Sequence, residues 1–219
     1  MATSNVEDYL KQIFLIEQGG PGERASNGAL AAALGVTPAS VTTMVKTLAE
    51  SGLVDYEAYG GARLTDKGRQ LAVRVLRRHR LVELFLVRVL RLDWSEVHEE
   101  AERLEHAVSE RVVDRIDELL GRPGADPHGH PIPSAAGEFG SSAATPLDQV
   151  EPGRRVRVAR VSDHDAAFLR AIEKLGLRPG TRLTVRSRDA ATDSLAVTLG
   201  RGRREVLGLR AAARILVEC

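Results

Sequence analysis

A chain of 219 residues with 43% apolar side chains is long enough for two or three small domains, each with a core of its own. Its formal net charge of +1 demands no polyanionic partner, and an aromatic content of 4% argues against base-stacking platforms for single-stranded nucleic acid. The lone cysteine is the last residue, Cys219, which excludes a disulfide framework and a thiolate metal cage.

The first residues, Met1 to Asp8, lack the basic-then-apolar order of a signal peptide, and no apolar run approaches a membrane span. A cytoplasmic protein without membrane contact is expected. Val6, Leu10, Ile13, Phe14 and Ile16 recur at helical spacing over residues 5–18, and the Gly19-Gly20-Pro21-Gly22 run stops that helix. Asp8 falls in its first turn, where the helix dipole favours a carboxylate. A second helix, about Ser26–Leu34, ends at Gly35; Thr37 then caps a third, with Pro38 at its first position, that runs to Ser51. Val41, Met44, Val45 and Leu48 form the apolar stripe of this third helix. Two short helices joined by a tight turn predict a helix-turn-helix. Thr37, Ser40, Thr42, Thr43 and Lys46 are the residues expected to face a DNA groove. With few long donors among them, phosphate contacts and DNA shape should carry much of the recognition. Leu53–Glu57, a Gly60-Gly61 turn and Ala62–Leu64 predict a β-hairpin directly after the recognition helix, which is a wing. Residues 1–64 therefore read as a winged helix-turn-helix domain.

Residues 65–121 read as a helical domain. Its first helix, Thr65 to about Arg91, is arginine-rich with a strong apolar stripe, and a second is expected from Asp93 or Ser95 to Leu120. Their apolar surface exceeds what a small wing domain needs, which predicts a homodimer. The second helix carries His98, Glu102 and His106 at i, i+4 and i+8, with Glu105 beside the last pair. His98 and Glu105 are separated by about 10 Å along such a helix, too far for one ion and suited to two neighbouring sites. His79 and Glu83 form another i,i+4 pair on the preceding helix. Residues 122–145 are rich in Gly, Pro, Ser, Ala and His and read as a linker; His128 and His130, two residues apart, could catch a metal there, but exposed linker side chains are the expectation. Residues 146–219 show strand-like runs at Arg155–Val161, Arg182–Arg186, Ser194–Leu199 and Ile215–Glu218 around a short helix at Ala166–Leu175, a small barrel of SH3 type. The fold class expected is mainly α with a small β domain.

In this order the chain resembles the diphtheria-toxin-repressor family of metal-activated bacterial repressors. The resemblance rests on Glu7-Asp8-Tyr9-Leu10, the winged helix, Arg78-His79-Arg80-Leu81 with Glu83, and His98 through His106. The Pro127–Pro133 run and the Leu175–Gly180 turn of a FeoA-type SH3-like domain also fit. It implies a primary metal site of Asp8, Glu102, Glu105 and His106. It also implies an ancillary site of His79, Glu83 and His98, completed from the C-terminal domain by His164 or its neighbours Asp163 and Asp165. Iron-responsive members place methionine and cysteine where this chain has Asp8 and Glu102, whereas manganese-responsive members carry carboxylates. Two-domain manganese sensors have an acidic residue in place of Lys11, so two separated sites are expected here. Three carboxylates and one imidazole form a hard donor set that suits Mn²⁺. Fe²⁺ is the alternative, and Zn²⁺, Co²⁺ or Cd²⁺ can substitute in vitro. The expected partners are a double-stranded DNA operator and a second copy of the chain, with no small-molecule substrate beyond the metal ion. The expected function is a manganese-dependent repressor of metal-homeostasis genes and not an enzyme. A metal-dependent hydrolase using the His/Glu stripe would leave the winged helix without a purpose.

Overall fold

A computed structural model describes residues 4–20, 23–140, 143–162 and 165–218. The chain divides into two compact units, Met1–His79 with Pro133–Glu138, and Arg80–Ile132 with Phe139–Cys219.

In the first unit, α1 (Ser4–Glu17), α2 (Asn27–Leu34) and α3 (Pro38–Glu50) precede a hairpin of β1 (Val54–Glu57) and β2 (Gly61–Leu64). Each boundary has a local cause. The Ser26 hydroxyl accepts the Ala29 N–H to cap α2, and Gly35 closes that helix at φ 64°, a left-handed conformation that glycine adopts without strain. Thr37 caps α3 by accepting from the Ser40 N–H, with Pro38 following where its missing N–H costs nothing. The α2 and α3 axes meet at 108°, within the range of helix-turn-helix units. Leu10, Ile13, Phe14, Leu30, Val41, Val45 and Leu48 fill the core between the helices. The wing pairs Val54 with Leu64 and Glu57 with Gly61, and Ala25 adds a bridge to Ala62. Glu17, at the end of α1, ties the wing down: its carboxylate accepts the Leu64 N–H at 2.7 Å and an Arg69 N–H at 2.5 Å.

The long helix α4 (Asp66–Arg88) begins in the first unit and continues into the second, where α5 (Val97–Leu104) and α6 (Glu110–Leu119) follow. The single helix expected from Asp93 or Ser95 to Leu120 is thus two. The backbone turns at Glu105–Ala107, and Ser109, in extended conformation, opens α6. Helical apolar spacing continues through the break, which conceals it in the sequence. His106 therefore leaves the helix that carries His98 and Glu102.

Beyond this lies a sheet. Its strands are β3 (Thr145–Pro146), β4 (Arg155–Val161), β5 (Arg182–Asp189), β6 (Ser194–Leu199), β7 (Arg204–Gly208) and β8 (Ile215–Glu218). Among the described residues they pair in the order β3-β8-β4-β5-β6-β7, all antiparallel. Helix α7 (Ala166–Lys174) and the short α8 (Leu209–Ala213) complete this region. Val156, Val158, Leu183, Val185, Leu195 and Val197 are buried at alternate positions, the signature of a sheet with one face on a core. The four strands expected from the sequence occur where they were placed, β5 running on to Asp189; β3, β7 and α8 add to them.

Gly68, in the first turn of α4, sits against the Leu53 carbonyl, and a Cβ there would lie 2.0 Å from that oxygen. Alanine normally favours a helix over glycine by up to about 1 kcal/mol, but here the clash dominates. Gly68→Ala should lower stability by about 1–3 kcal/mol, seen as a lower midpoint in thermal or urea unfolding; an unchanged or higher midpoint would refute the close approach.

Candidate metal centre

The second unit gathers ionisable side chains from three stretches that are remote in sequence. Glu83 comes from α4 and is buried. His98 comes from the first turn of α5, and its Nδ1 lies 3.1 Å from Glu83 Oε1. His128 comes from the segment expected to be an exposed linker, and its Nδ1 lies 3.7 Å from Glu83 Oε2. The linker expectation is therefore corrected: His128 is fully buried and Asp126 nearly so.

The cause is a compact loop built on Asp126. One oxygen of Asp126 accepts the N–H groups of His128 and His130, at 2.8 and 2.9 Å, and the other contacts His130 Nδ1 at 3.2 Å. Arg80 of α4 donates to the Pro131 carbonyl at 2.5 Å and approaches Asp126 at 3.8 Å. Gly129 has a φ of 90°, and a Cβ there would meet the Ala159 carbonyl oxygen of β4 at 2.1 Å, so only glycine permits this approach. On the other side the His128 carbonyl accepts the Val161 N–H. Composition alone reads such a stretch as mobile; its backbone bonds and the Arg80 anchor make it part of the fold.

His128 Nε2 lies 2.8 Å from the Trp94 carbonyl, and its ring stacks on the Trp94 indole with centroids 5.3 Å apart. A carbonyl only accepts, so Nε2 must carry a proton. In the neutral ring the Nδ1 lone pair then points toward Glu83, the tautomer a metal ligand needs, with its opposite N–H already held by a backbone oxygen. Donor atoms that share one octahedral ion at about 2.1 Å are about 3 Å apart. The Glu83 Oε1–His98 Nδ1 separation is close to that value, whereas His128 approaches the other Glu83 oxygen at a longer distance. Asp126, His128 and His130 offer donor atoms that all lie within 4.8 Å of one another, a spread that could hold a divalent cation.

A second set adjoins the first. His98 Nε2 lies 3.6 Å from Glu102 Oε1, one turn further along α5, so this imidazole faces a carboxylate through each ring nitrogen. Glu105 is fully buried, and its Oε1 is 3.4 Å from His106 Nε2. Glu102 and Glu105 offer carboxylate oxygens within 4.8 Å of each other. The turn that ends α5 brings Glu105 and His106 together. Asp8 is half-buried on α1, and His79 is buried on α4, one turn before Glu83. His164 and Asp163 lie outside the described residues. Asp165 caps α7 by accepting the Ala167 and Phe168 N–H groups.

In the first unit, Thr37, Ser40, Thr43 and Lys46 are exposed along α3. Thr42 differs: it is half-buried, and its hydroxyl donates to the Pro38 carbonyl and accepts from Asn27 Nδ2, both at 2.9 Å. Asn27, Tyr56 and the exposed wing-tip Tyr59 border a hollow with Lys46, residues that spacing within α3 could not reveal.

Burial opposes a charge on His128, yet the Glu83 carboxylate beside it and the Asp126 charge outweigh that effect and raise its pKa. Burial likewise opposes ionisation of Asp126, but the charge and hydrogen bond of His130 prevail and hold it below the usual carboxylate range.

These geometries define a class: a winged-helix DNA-binding unit joined to a helical region with clustered carboxylates and imidazoles, followed by an SH3-like barrel. Comparison with known proteins agrees. Residues 1–62 match the N-terminal DNA-binding domain of iron-dependent repressors, 65–134 their metal-binding and dimerisation domain, and 145–219 the FeoA domain. The iron-dependent repressor IdeR of Mycobacterium leprae is 33% identical over 196 residues, 84% of each chain. The regulator MntR of Lysinibacillus sphaericus is 39% identical over 120 residues, 55% of this chain and 84% of that one. A solved manganese-dependent transcriptional repressor in complex with manganese superposes with a TM-score of 0.90 at 41% identity, covering 97% of this chain and 98% of the other. The chain belongs to the diphtheria-toxin-repressor family of metal-dependent, DNA-binding transcriptional repressors.

Two outcomes follow for the Glu83–His98–His128 cluster. His128→Ala should weaken metal binding there by about 10–100-fold, measured by calorimetric titration with Mn²⁺ or Zn²⁺; unchanged affinity would remove His128 from the site. The second concerns pH. A raised His128 pKa contributes stability that is complete below the ordinary histidine value of about 6.5 and is lost as pH rises through the raised value. Metal-free protein should therefore lose stability across that window. Metal affinity should rise over it, with a proton released per ion bound, detectable as a buffer-dependent binding enthalpy.

Proposed function

We propose that the chain is a manganese-responsive repressor in which Asp8 joins Glu102, Glu105 and His106 as the primary site. In the same reading His79, Glu83 and His98 form the ancillary one, which the resemblance completes with His164, and His128 stands beside Glu83. The observation that carries this reading is the convergence, within the second unit, of two adjoining carboxylate–imidazole sets bridged by His98. The family resemblance supports the addition of Asp8 and His79. The donor set supports manganese: oxygen and imidazole nitrogen only, while both methionines and Cys219 lie elsewhere in the sequence. The manganese complex named among the structural relatives points the same way. IdeR relatives make ferrous iron the second reading.

When bound, the ion supplies two positive charges that offset the mutual repulsion of the carboxylates. The protein's part is to hold those carboxylates on separate pieces of chain. Asp8 belongs to α1, which packs against the recognition unit through Leu10, Ile13 and Phe14. Glu102, Glu105 and His106 belong to the α5 turn. Joining the two restrains α1 and selects the arrangement in which paired recognition helices of a two-fold dimer meet successive major grooves, about 34 Å apart. Thr37, Ser40, Thr43 and Lys46 are the groove-facing residues in this reading, with Thr42 acting from behind by holding Asn27. Linkage then requires DNA to tighten metal as much as metal tightens DNA, ordinarily by about 1–3 kcal/mol.

Glu105→Ala or His106→Ala should abolish Mn²⁺-dependent enrichment of sequences from a randomised 30-bp duplex pool while leaving the dimer intact by sedimentation. Enrichment that stays manganese-dependent in either variant would refute the primary site. Asp8→Met combined with Glu102→Cys should shift activation from Mn²⁺ toward Fe²⁺; an unaltered preference would count against manganese as the cue.

A further inference from the structure

The charge of this chain is unevenly spread. Residues 145–219 hold fifteen Arg/Lys against nine Asp/Glu, whereas residues 1–144 hold sixteen against twenty-one. A near-neutral total thus conceals a basic barrel attached to an acidic remainder, an asymmetry that points to a polyanionic partner.

Strand geometry concentrates the excess. Because Val156, Val158, Leu183 and Val185 face the core, alternation turns Arg155, Arg157, Arg182 and Thr184 to the outer face of the sheet. Register sets Arg155 opposite Thr184 and Arg157 directly opposite Arg182. On β6, Thr198 pairs with Thr184 and accepts a hydrogen bond from Arg186 at 2.8 Å. These side chains border a groove of about 770 Å³, and no carboxylate is among its described lining residues. Arg157 also reaches Glu218 at the groove's margin.

Like charges facing each other across a strand pair destabilise a sheet. Arg157 opposite Arg182 is such a pair, its repulsion offset in part by Glu218, and a ligand carrying negative charge would relieve the remainder. The groove offers guanidinium forks and threonine hydroxyls, which match phosphate oxygens. Its apolar members, Val156, Leu183 and Leu199, are buried, so it lacks the exposed anchor around which a protein interface is built.

We propose that this face of the barrel binds the phosphodiester backbone of double-stranded DNA, as a sequence-independent contact additional to the recognition helix. The identity of the polyanion rests on the DNA-binding reading above; the existence of the anion site does not.

The test uses the full-length protein, a mixed-sequence 60-bp duplex and fluorescence anisotropy over a range of salt concentrations, with and without Mn²⁺. The variant Arg155→Ala/Arg157→Ala/Arg182→Ala should bind the duplex at least ten-fold more weakly at 50 mM salt in both conditions. Its slope of log K against log salt should be shallower by about 0.9 per lost phosphate contact. The corresponding triple lysine variant, which keeps the charge, should restore most of the slope. Circular dichroism and sedimentation establish that the alanine variant is folded and dimeric; if it is not, Arg155→Glu alone should produce the same loss. An alanine variant with unchanged affinity and slope overturns the proposal. So does a variant that loses binding to polyglutamate while keeping DNA, which would assign the groove to an acidic protein. Failure of the DNA-binding reading itself would show differently, as the absence of Mn²⁺-stimulated enrichment from the randomised pool.

Discussion

The buried carboxylate of Glu83 is the constraint around which the second unit is arranged. Removing a charge from water costs several kcal/mol unless partners replace the lost hydration. Here the partners are imidazoles from two different segments, His98 at 3.1 Å and His128 at 3.7 Å. Satisfying Glu83 therefore organises the start of α5 and the 126–131 loop at once. A proton on His128 answers part of that electrostatic demand, and a cation held by the same residues would answer it instead. Under the proposed function, that competition would couple metal binding to pH.

His98 gives the arrangement its second level. Each of its ring nitrogens faces a carboxylate, Glu83 on one side and Glu102 on the other. An imidazole has two nitrogens on opposite edges, so a rotation that improves one contact disturbs the other. The two sets therefore share one side chain, and a change at either carboxylate bears on the orientation of the same ring. The turn that ends α5 serves the second set, since a helix continued to His106 would separate it from Glu105 along the helix surface.

Much of this was legible in the sequence because local rules suffice for it. Thr37-Pro38, Gly35 and the alternation along β4 and β5 each dictate structure within a few residues, and the winged helix and barrel follow. The i,i+4 pairing of His98 with Glu102 survives intact. Three features were hidden for a common reason, long-range packing. The Asp126–His130 loop looks like a flexible connector by composition, and its order comes from the Asp126 turn, the Arg80 anchor and the approach of Gly129 to β4. The break between α5 and α6 interrupts a helical apolar pattern that itself continues. The pairing of Arg157 with Arg182 depends on register between strands separated by α7, which spacing along the chain does not encode.

Trp94 is the chain's only tryptophan, and its indole lies face to face with the His128 ring while its carbonyl holds the Nε2 proton. An imidazolium quenches an excited indole by accepting an electron, and a neutral or metal-bearing ring does so to a different degree. The molecule thus contains its own optical gauge: intrinsic emission from a single fluorophore should follow the protonation of the neighbouring histidine, with no label attached.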